Sequence, residues 1–255
     1  MAIVPNRQVV MSVVQYQKKI ENGELTCLDL LDKAKELGVD GVELRREPWE
    51  NYRDELQQVR EKAEKLEKII IYATFSRLIC KDEESEKMLF HDIDIASEIG
   101  SPFLRVYLGE TPPDSSDRWD VVRKAIAYAH AKGIFLVLEN CSYMPGATLD
   151  EMLHAVQVIK SPLLKINVDV GNYFMNGIDC VNAISKLKDR IIYTHLKNPS
   201  SPEGVLGGGA MPMNHILDVL DALPQKVYYC FEFGGGPNPE EKIEKSLQFL
   251  KTRLR

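Results

Sequence analysis

The chain is short of cysteine, of positive charge and of long apolar runs, and each shortage removes a class of protein. Its five cysteines (Cys27, Cys80, Cys141, Cys180, Cys230) form an odd, scattered set with no CxxC spacing. That argues against a disulfide framework or a cysteine-rich zinc module and suits a reducing compartment. Lysine and arginine number 32 against 38 aspartates and glutamates, a net charge of −6, which offers nothing to a phosphate backbone, so no nucleic-acid partner is expected. No run reaches 18 apolar residues and no apolar segment with a cleavage signal opens the chain, so the expectation is a cytoplasmic protein without a membrane span. The glycine triplets at 207–209 and 234–236 match neither GxGxxG nor GxxxxGK at a strand-to-helix turn, which disfavours a nucleotide cradle.

What the chain does have is a repeated kind of strand. Ile134 to Asn140 (IFLVLEN) reads as a strand buried on both faces that nonetheless ends in a carboxylate, a charge that is costly to take from water without a partner. Lys165 to Asp169 (KINVD), Ile191 to His195 (IIYTH) and Val227 to Glu232 (VYYCFE) have the same form, each closing on a group able to bind a metal. Glu139, Asp169, His195 and Glu232 are 30, 26 and 37 residues apart, about one strand plus one crossover helix each time, which places them side by side at one end of a parallel sheet.

The rest of the chain supplies the remaining units. Strands are predicted at 9–14, 41–44, 69–74 and 103–108, and helices at 27–37, 51–67, 82–99, 118–131, 149–159, 179–187, 214–222 and 239–251. Residues 171–174 read as the exit from the sixth strand, and the Ser/Pro/Gly stretch 199–212 as a rim that packs into no regular element. Eight strand-helix units of about 32 residues with no linker between them predict an α/β protein, one (β/α)₈ TIM barrel over residues 1–255.

Three carboxylates gathered at neutral pH repel one another unless positive charge is supplied, and a divalent cation supplies it. Three oxygens and one imidazole suit Mn, Co, Zn or Mg. The second strand brings Glu43, Arg45 and Arg46 toward the same mouth. Arg105, the one charge inside the fourth strand, either holds a carboxylate such as Glu43 or faces a ligand. With Lys197, these arginines make the mouth cationic and point to an anionic group, such as a phosphate, on the substrate. Lys165 shares the parity of Asp169 at the far end of its strand, so it belongs near the barrel bottom. Cys230 shares the parity of Glu232 and is expected inside the barrel as packing.

LxLEN at 136–140, VDxGN at 168–172, HLKN at 195–198 and Glu232, with the GxxGxEL-like run Gly38 to Leu44 and the IAxxIG run Ile95 to Gly100, resemble the xylose-isomerase-like barrels. These include sugar phosphate isomerases and epimerases, ketose 3-epimerases, hydroxypyruvate isomerase and inosose dehydratase. The resemblance implies that Glu139, Asp169, His195 and Glu232 bind one divalent metal, and that Glu139 and Glu232 are also the acid-base pair. In ketose epimerases a histidine often stands where this chain has Asn172, which can meet a substrate hydroxyl but cannot take up a proton. Relatives often carry HxKD where this chain has Asn198, a change that leaves Lys197 less neutralised. With four of the five histidines (His91, His130, His154, His215) placed in or at the start of predicted helices, the multi-histidine cluster of the family's DNA-repair endonucleases has no means of forming.

The expected activity is isomerisation or epimerisation of a small sugar, keto-sugar or polyol, with or without a phosphate, by proton transfer through an enediolate. The alternatives are dehydration of a cyclic polyol, as in the inosose dehydratases, and a non-catalytic metal- or sugar-binding barrel. A homodimer or homotetramer is compatible with this reading.

Overall fold

A computed structural model describes residues 7–253 except 48, 50, 51, 142 and 147. Strands β1 (Arg7–Ser12), β2 (Gly41–Arg45), β3 (Ile69–Arg77), β4 (Phe103–Tyr107), β5 (Phe135–Glu139), β6 (Lys165–Asp169), β7 (Ile191–Leu196) and β8 (Val227–Phe231) pair in chain order, all parallel, and β8 closes on β1. Helices α1 (Gln17–Glu21) and α2 (Asp29–Leu37) lie between β1 and β2, then α3 (Tyr52–Lys65), α4 (Glu83–Glu98), α5 (Arg118–Ala131) and α6 (Leu149–Ile159) follow β2 to β5 in turn. Two helices, α7 (Val170–Met175) and α8 (Cys180–Leu187), follow β6, while α9 (Met213–Asp221) follows β7 and α10 (Pro239–Arg253) follows β8. The molecule is the predicted (β/α)₈ barrel.

Local chemistry sets many of the boundaries. Thr148 and Glu151 form a reciprocal capping box that starts α6, and Asp82 and Asp179 cap α4 and α8 through backbone amides, each satisfying donors that a helix start leaves orphaned. The predicted strand 9–14 stops at Ser12 because Ser12 caps a 3₁₀ turn, Val13–Tyr16, with Gln15 returning the bond. Residues 171–174, read as a plain exit, are instead helical in α7, which Asp169 caps by accepting from Asn172 N. Gly41 lets β2 lie against β3, since a Cβ there would sit 2.0 Å from the Ile69 carbonyl oxygen.

Alternation divides the sheet residues between two cores. Val10, Ile71, Phe103, Val137, Tyr193 and Cys230 point inward and plug the barrel lumen, so Cys230 packs as expected, while a larger cluster that includes Trp119 fills the space between sheet and helices. Lys165 stands at the bottom with its ammonium 5.4 Å from the centre of the Phe135 ring. The stretch 199–212 forms no helix or strand, as its sequence reading expects, yet it is packed. Asn198 donates to the carbonyls of Leu206 and Gly208, Ser200 Oγ donates to Asn198 Oδ1, and Leu206 and Met211 are buried. A polar loop packs here because one asparagine satisfies its turning backbone from within.

Candidate metal centre at the barrel mouth

The last inward position of each of the final four strands carries one functional side chain. Glu139 ends β5, Asp169 ends β6, His195 is the penultimate residue of β7, and Glu232 follows β8, its backbone N–H still donating to Leu196 O. All four are buried or nearly so, and one donor atom from each lies within 4.8 Å of all the others. His195 Nδ1 stands 3.2 Å from Glu139 Oε1, 3.5 Å from Glu232 Oε1 and 3.8 Å from Asp169 Oδ2. Ligands about 2.0–2.2 Å from a shared divalent ion lie roughly 3 to 4.4 Å from one another, so these donors fit one ion. Asp169 is oriented for the same centre: its Oδ1 is committed to Asn172 N at 2.8 Å, and its Oδ2, turned toward His195, meets the Lys197 ammonium at 2.7 Å.

The two asparagine motifs explain how the strand ends stay together. Asn140 accepts from Asp169 N at 2.8 Å and donates to Asp169 O at 2.9 Å, while Asn172 donates to Asn140 O at 2.9 Å. Asn172, expected at a substrate hydroxyl, is therefore buried and committed to the link between β5 and β6.

Glu43, which β2 brings to the same mouth, bonds only to the protein itself among the described residues. It is fully buried, accepting from His195 Nε2 at 2.7 Å and Tyr193 Oη at 2.8 Å on one oxygen, and from Ser12 Oγ at 2.9 Å and Arg45 at 3.0 Å on the other. The Glu43 contact engages Nε2 and turns Nδ1 toward the three carboxylates, the arrangement by which a carboxylate would orient a histidine toward a metal. Tyr193 was missed in the sequence, although it lies two residues before His195 and so faces the same interior. Glu43, His195 and Cys230 form a second potential donor group, but the Glu43 bonds to Tyr193 and His195 already occupy its carboxylate.

The cations divide between the centre and the outer layer. Arg45 contacts Glu43 and Glu232. Lys197 Nζ lies 2.7 Å from both Asp169 Oδ2 and Glu232 Oε2, so the Asn198 substitution does not leave it unneutralised. Arg105 pairs with Glu139 at 2.9 Å, not with Glu43, and donates to Thr74 O at 2.7 Å. Arg46 is not brought to the centre, because it forks onto Asp92 of α4 at 2.8 and 3.0 Å and contacts Glu47. Positive charge at the carboxylates, expected from a divalent cation, is thus also supplied by side chains of the protein. Four carboxylates (Glu43, Glu139, Asp169, Glu232) face three permanent cations and one imidazole.

Electrostatics follow from that inventory. Burial opposes charge on His195, but Glu43, Glu139 and Glu232 outweigh it and raise its pKa well above the ordinary imidazole value. Burial would likewise raise Glu232, yet His195, Arg45 and Lys197 hold it well below the carboxylate range.

A barrel closed in chain order, with its polar centre at the C-terminal ends of the strands, belongs to the enzyme-bearing TIM-barrel class in architecture. The chain belongs to the xylose isomerase-like TIM barrel family, whose model matches residues 31–253. A comparison with curated protein sequences gives no match. Among solved structures, the D-allulose 3-epimerase from Methylomonas sp. in complex with D-allulose superposes with a TM-score of 0.77 at 15% identity, covering 99% of each chain. An L-ribulose 3-epimerase gives 0.77 at 16% identity, over 100% of this chain and 95% of that one. The probable 3-DHS dehydratase AsbF from Bacillus anthracis gives 0.74 at 16%, over 95% and 98%. At such identities these likenesses establish the fold alone.

Proposed function

We propose that the chain is a divalent-metal-dependent isomerase or epimerase of a small sugar, keto-sugar or polyol. The observation that carries this reading is the convergence of Glu139, Asp169, His195 and Glu232 within 4.8 Å at one barrel end. When bound, the metal would lower the cost of negative charge on a substrate carbonyl and its neighbouring hydroxyl. Glu139 and Glu232 arrive from β5 and β8, on different sides of the mouth, and exchange a proton with the substrate's α-carbon, one removing it and the other returning it. Arg105 keeps Glu139 in place, while Arg45 and Lys197 keep Glu232 ionised and able to accept a proton. Because base strength falls with pKa, their hold on Glu232 must loosen as substrate enters.

Dehydration of a cyclic polyol is the second reading. Lys197 favours it, as an ammonium beside the two carboxylates able to protonate a departing hydroxyl. Incubation with candidate sugars in deuterated water separates the outcomes: deuterium enters substrate and epimer for the first reading, water is lost for the second, and a binding protein gives neither. Metal-replete Glu139→Gln and Glu232→Gln are expected to turn over at least about 100-fold more slowly. Near-normal turnover in both, at full metal content, would remove the two-carboxylate mechanism.

A further inference from the structure

Beside the metal centre, on the β1–β3 side of the mouth, the barrel holds a cavity of about 580 Å³, within the range of about 300–1,000 Å³ that encloses a whole small molecule. None of the four proposed metal ligands is among its described wall residues, but Arg45 is, and Arg45 touches Glu43 and Glu232. A second connection runs through rings. Phe75, on the cavity wall, lies 5.8 Å from Tyr107, the Arg105 guanidinium sits 4.7 Å from the centre of the Tyr107 ring, and Arg105 holds Glu139. Cavity and metal centre are thus neighbouring parts of one mouth.

The acidic groups on this wall already have partners within the protein. Glu47 accepts from Arg46 and from Phe75 N, each at 3.1 Å, Glu55 accepts from Trp49 Nε1 at 2.8 Å, and Glu21 accepts from Gln17 at 2.7 Å. The other polar wall side chains are bonded too, Gln17 to Glu21, Thr26 Oγ1 to Asp29 and Arg45 to Glu43 and Glu232, so the surface left without a partner is the apolar one of Val14, Ile20, Leu25 and Phe75. Phe75 remains 38% exposed, a large apolar ring left facing water beside a polar centre. A hydroxyl-rich group entering here would give up water for few new hydrogen bonds, whereas an aryl or alkyl group would remove apolar surface from water on both sides.

We propose that this cavity is a second subsite, which takes an aromatic or short alkyl substituent carried on the end of a polyol away from its reacting carbon. The orientation of the polyol rests on the proposed function, but the preference of the cavity for apolar groups does not.

Calorimetric titration with phenyl β-D-glucoside and methyl β-D-glucoside tests it, on the full chain with Mn²⁺ and again with EDTA. The phenyl compound should bind at least roughly tenfold more tightly in both conditions. Val14→Trp, which fills the cavity without altering a proposed ligand, should bring the ratio close to one. Phe75→Ala, at a partly exposed position, should lower the ratio and provides the test if Val14→Trp does not fold. Equal affinities in the wild-type protein, no phenyl binding at millimolar concentration, or a ratio unchanged by a folded variant overturns the subsite. A phenyl preference in protein that binds no metal and exchanges no deuterium would keep the subsite and reject the proposed function. Deuterium exchange without a phenyl preference would do the reverse.

Discussion

Arg105 shows how much a single buried residue can determine at this centre. It is fully buried, its charge is shared between Glu139, the Thr74 carbonyl and the Tyr107 ring, and no water-facing route relieves either member of the Arg105–Glu139 pair. Removing one partner of a buried ion pair leaves an uncompensated charge and costs roughly 3–5 kcal/mol. Arg105→Met should therefore lose about that much in urea unfolding, and adding Glu139→Gln should restore part of it. A single mutant as stable as wild type would show that His195, 3.2 Å from Glu139, compensates this carboxylate without Arg105. Lys197 makes a different prediction. Together with His195 and Arg45 it holds Glu232 below the usual carboxylate range, against the effect of burial, so Lys197→Met should raise the Glu232 pKa. If ionised Glu232 is needed for turnover, the acid limb of the kcat profile should move to higher pH. An unmoved limb would show that Glu232 ionisation does not set it.

At the scale of elements, the strand ends are tied by backbone-directed asparagines and by close strand approach. Asn140 couples β5 to β6 through both the N–H and the C=O of Asp169, so the spacing of Glu139 from Asp169 is fixed by the same residue pair that carries the LEN and VDxGN motifs. Gly41 has a comparable part on the other side of the barrel. A methyl group there would meet the Ile69 carbonyl oxygen at 2.0 Å, a backbone atom that moves only with β3. Gly41→Ala should cost at least about 1–3 kcal/mol by thermal or chemical unfolding, and it should disturb Glu43, two residues along the same strand. By contrast, Thr148→Ala, which removes only the α6 cap, should cost about 0.5–2 kcal/mol and leave the centre unchanged. Equal losses with an intact centre in both variants would show that β2 can shift away from β3 without consequence.

Across the whole molecule, metal binding and folding should be linked. The four proposed ligands stand at the ends of β5, β6, β7 and β8 and meet only when the second half of the barrel is closed, so an ion held by all four would favour the folded state. At 100 times its dissociation constant, such a ligand adds about 2.7 kcal/mol of stability. Thermal unfolding should rise with added Mn²⁺, fall with EDTA, and lose this response in His195→Ala and Asp169→Asn. A melting temperature indifferent to both additions, together with less than a stoichiometric ion in protein purified without chelator, would reject the four-ligand site.

Much of this organisation is legible along the chain. Apolar runs ending in Glu139, Asp169, His195 and Glu232 at crossover spacing determine both the parallel barrel and the end at which the polar groups gather, because inward positions alternate and every parallel strand points the same way. The inward side of Cys230 and the bottom position of Lys165 follow from the same parity. Partner choice does not. Arg46 and Arg45 are adjacent and chemically identical, yet one turns to Asp92 in the helical layer and the other to Glu232 in the centre, carboxylates that α4 and the end of β8 bring in from distant parts of the chain. The pairings of Arg105 with Glu139 and Lys197 with Asp169, the bonding of Glu43 behind His195, and the cavity beside Phe75 depend on where different strands and loops meet in space. Sequence spacing supplied the strand ends; the closed barrel decided which charges face one another and which apolar surface is left open beside them.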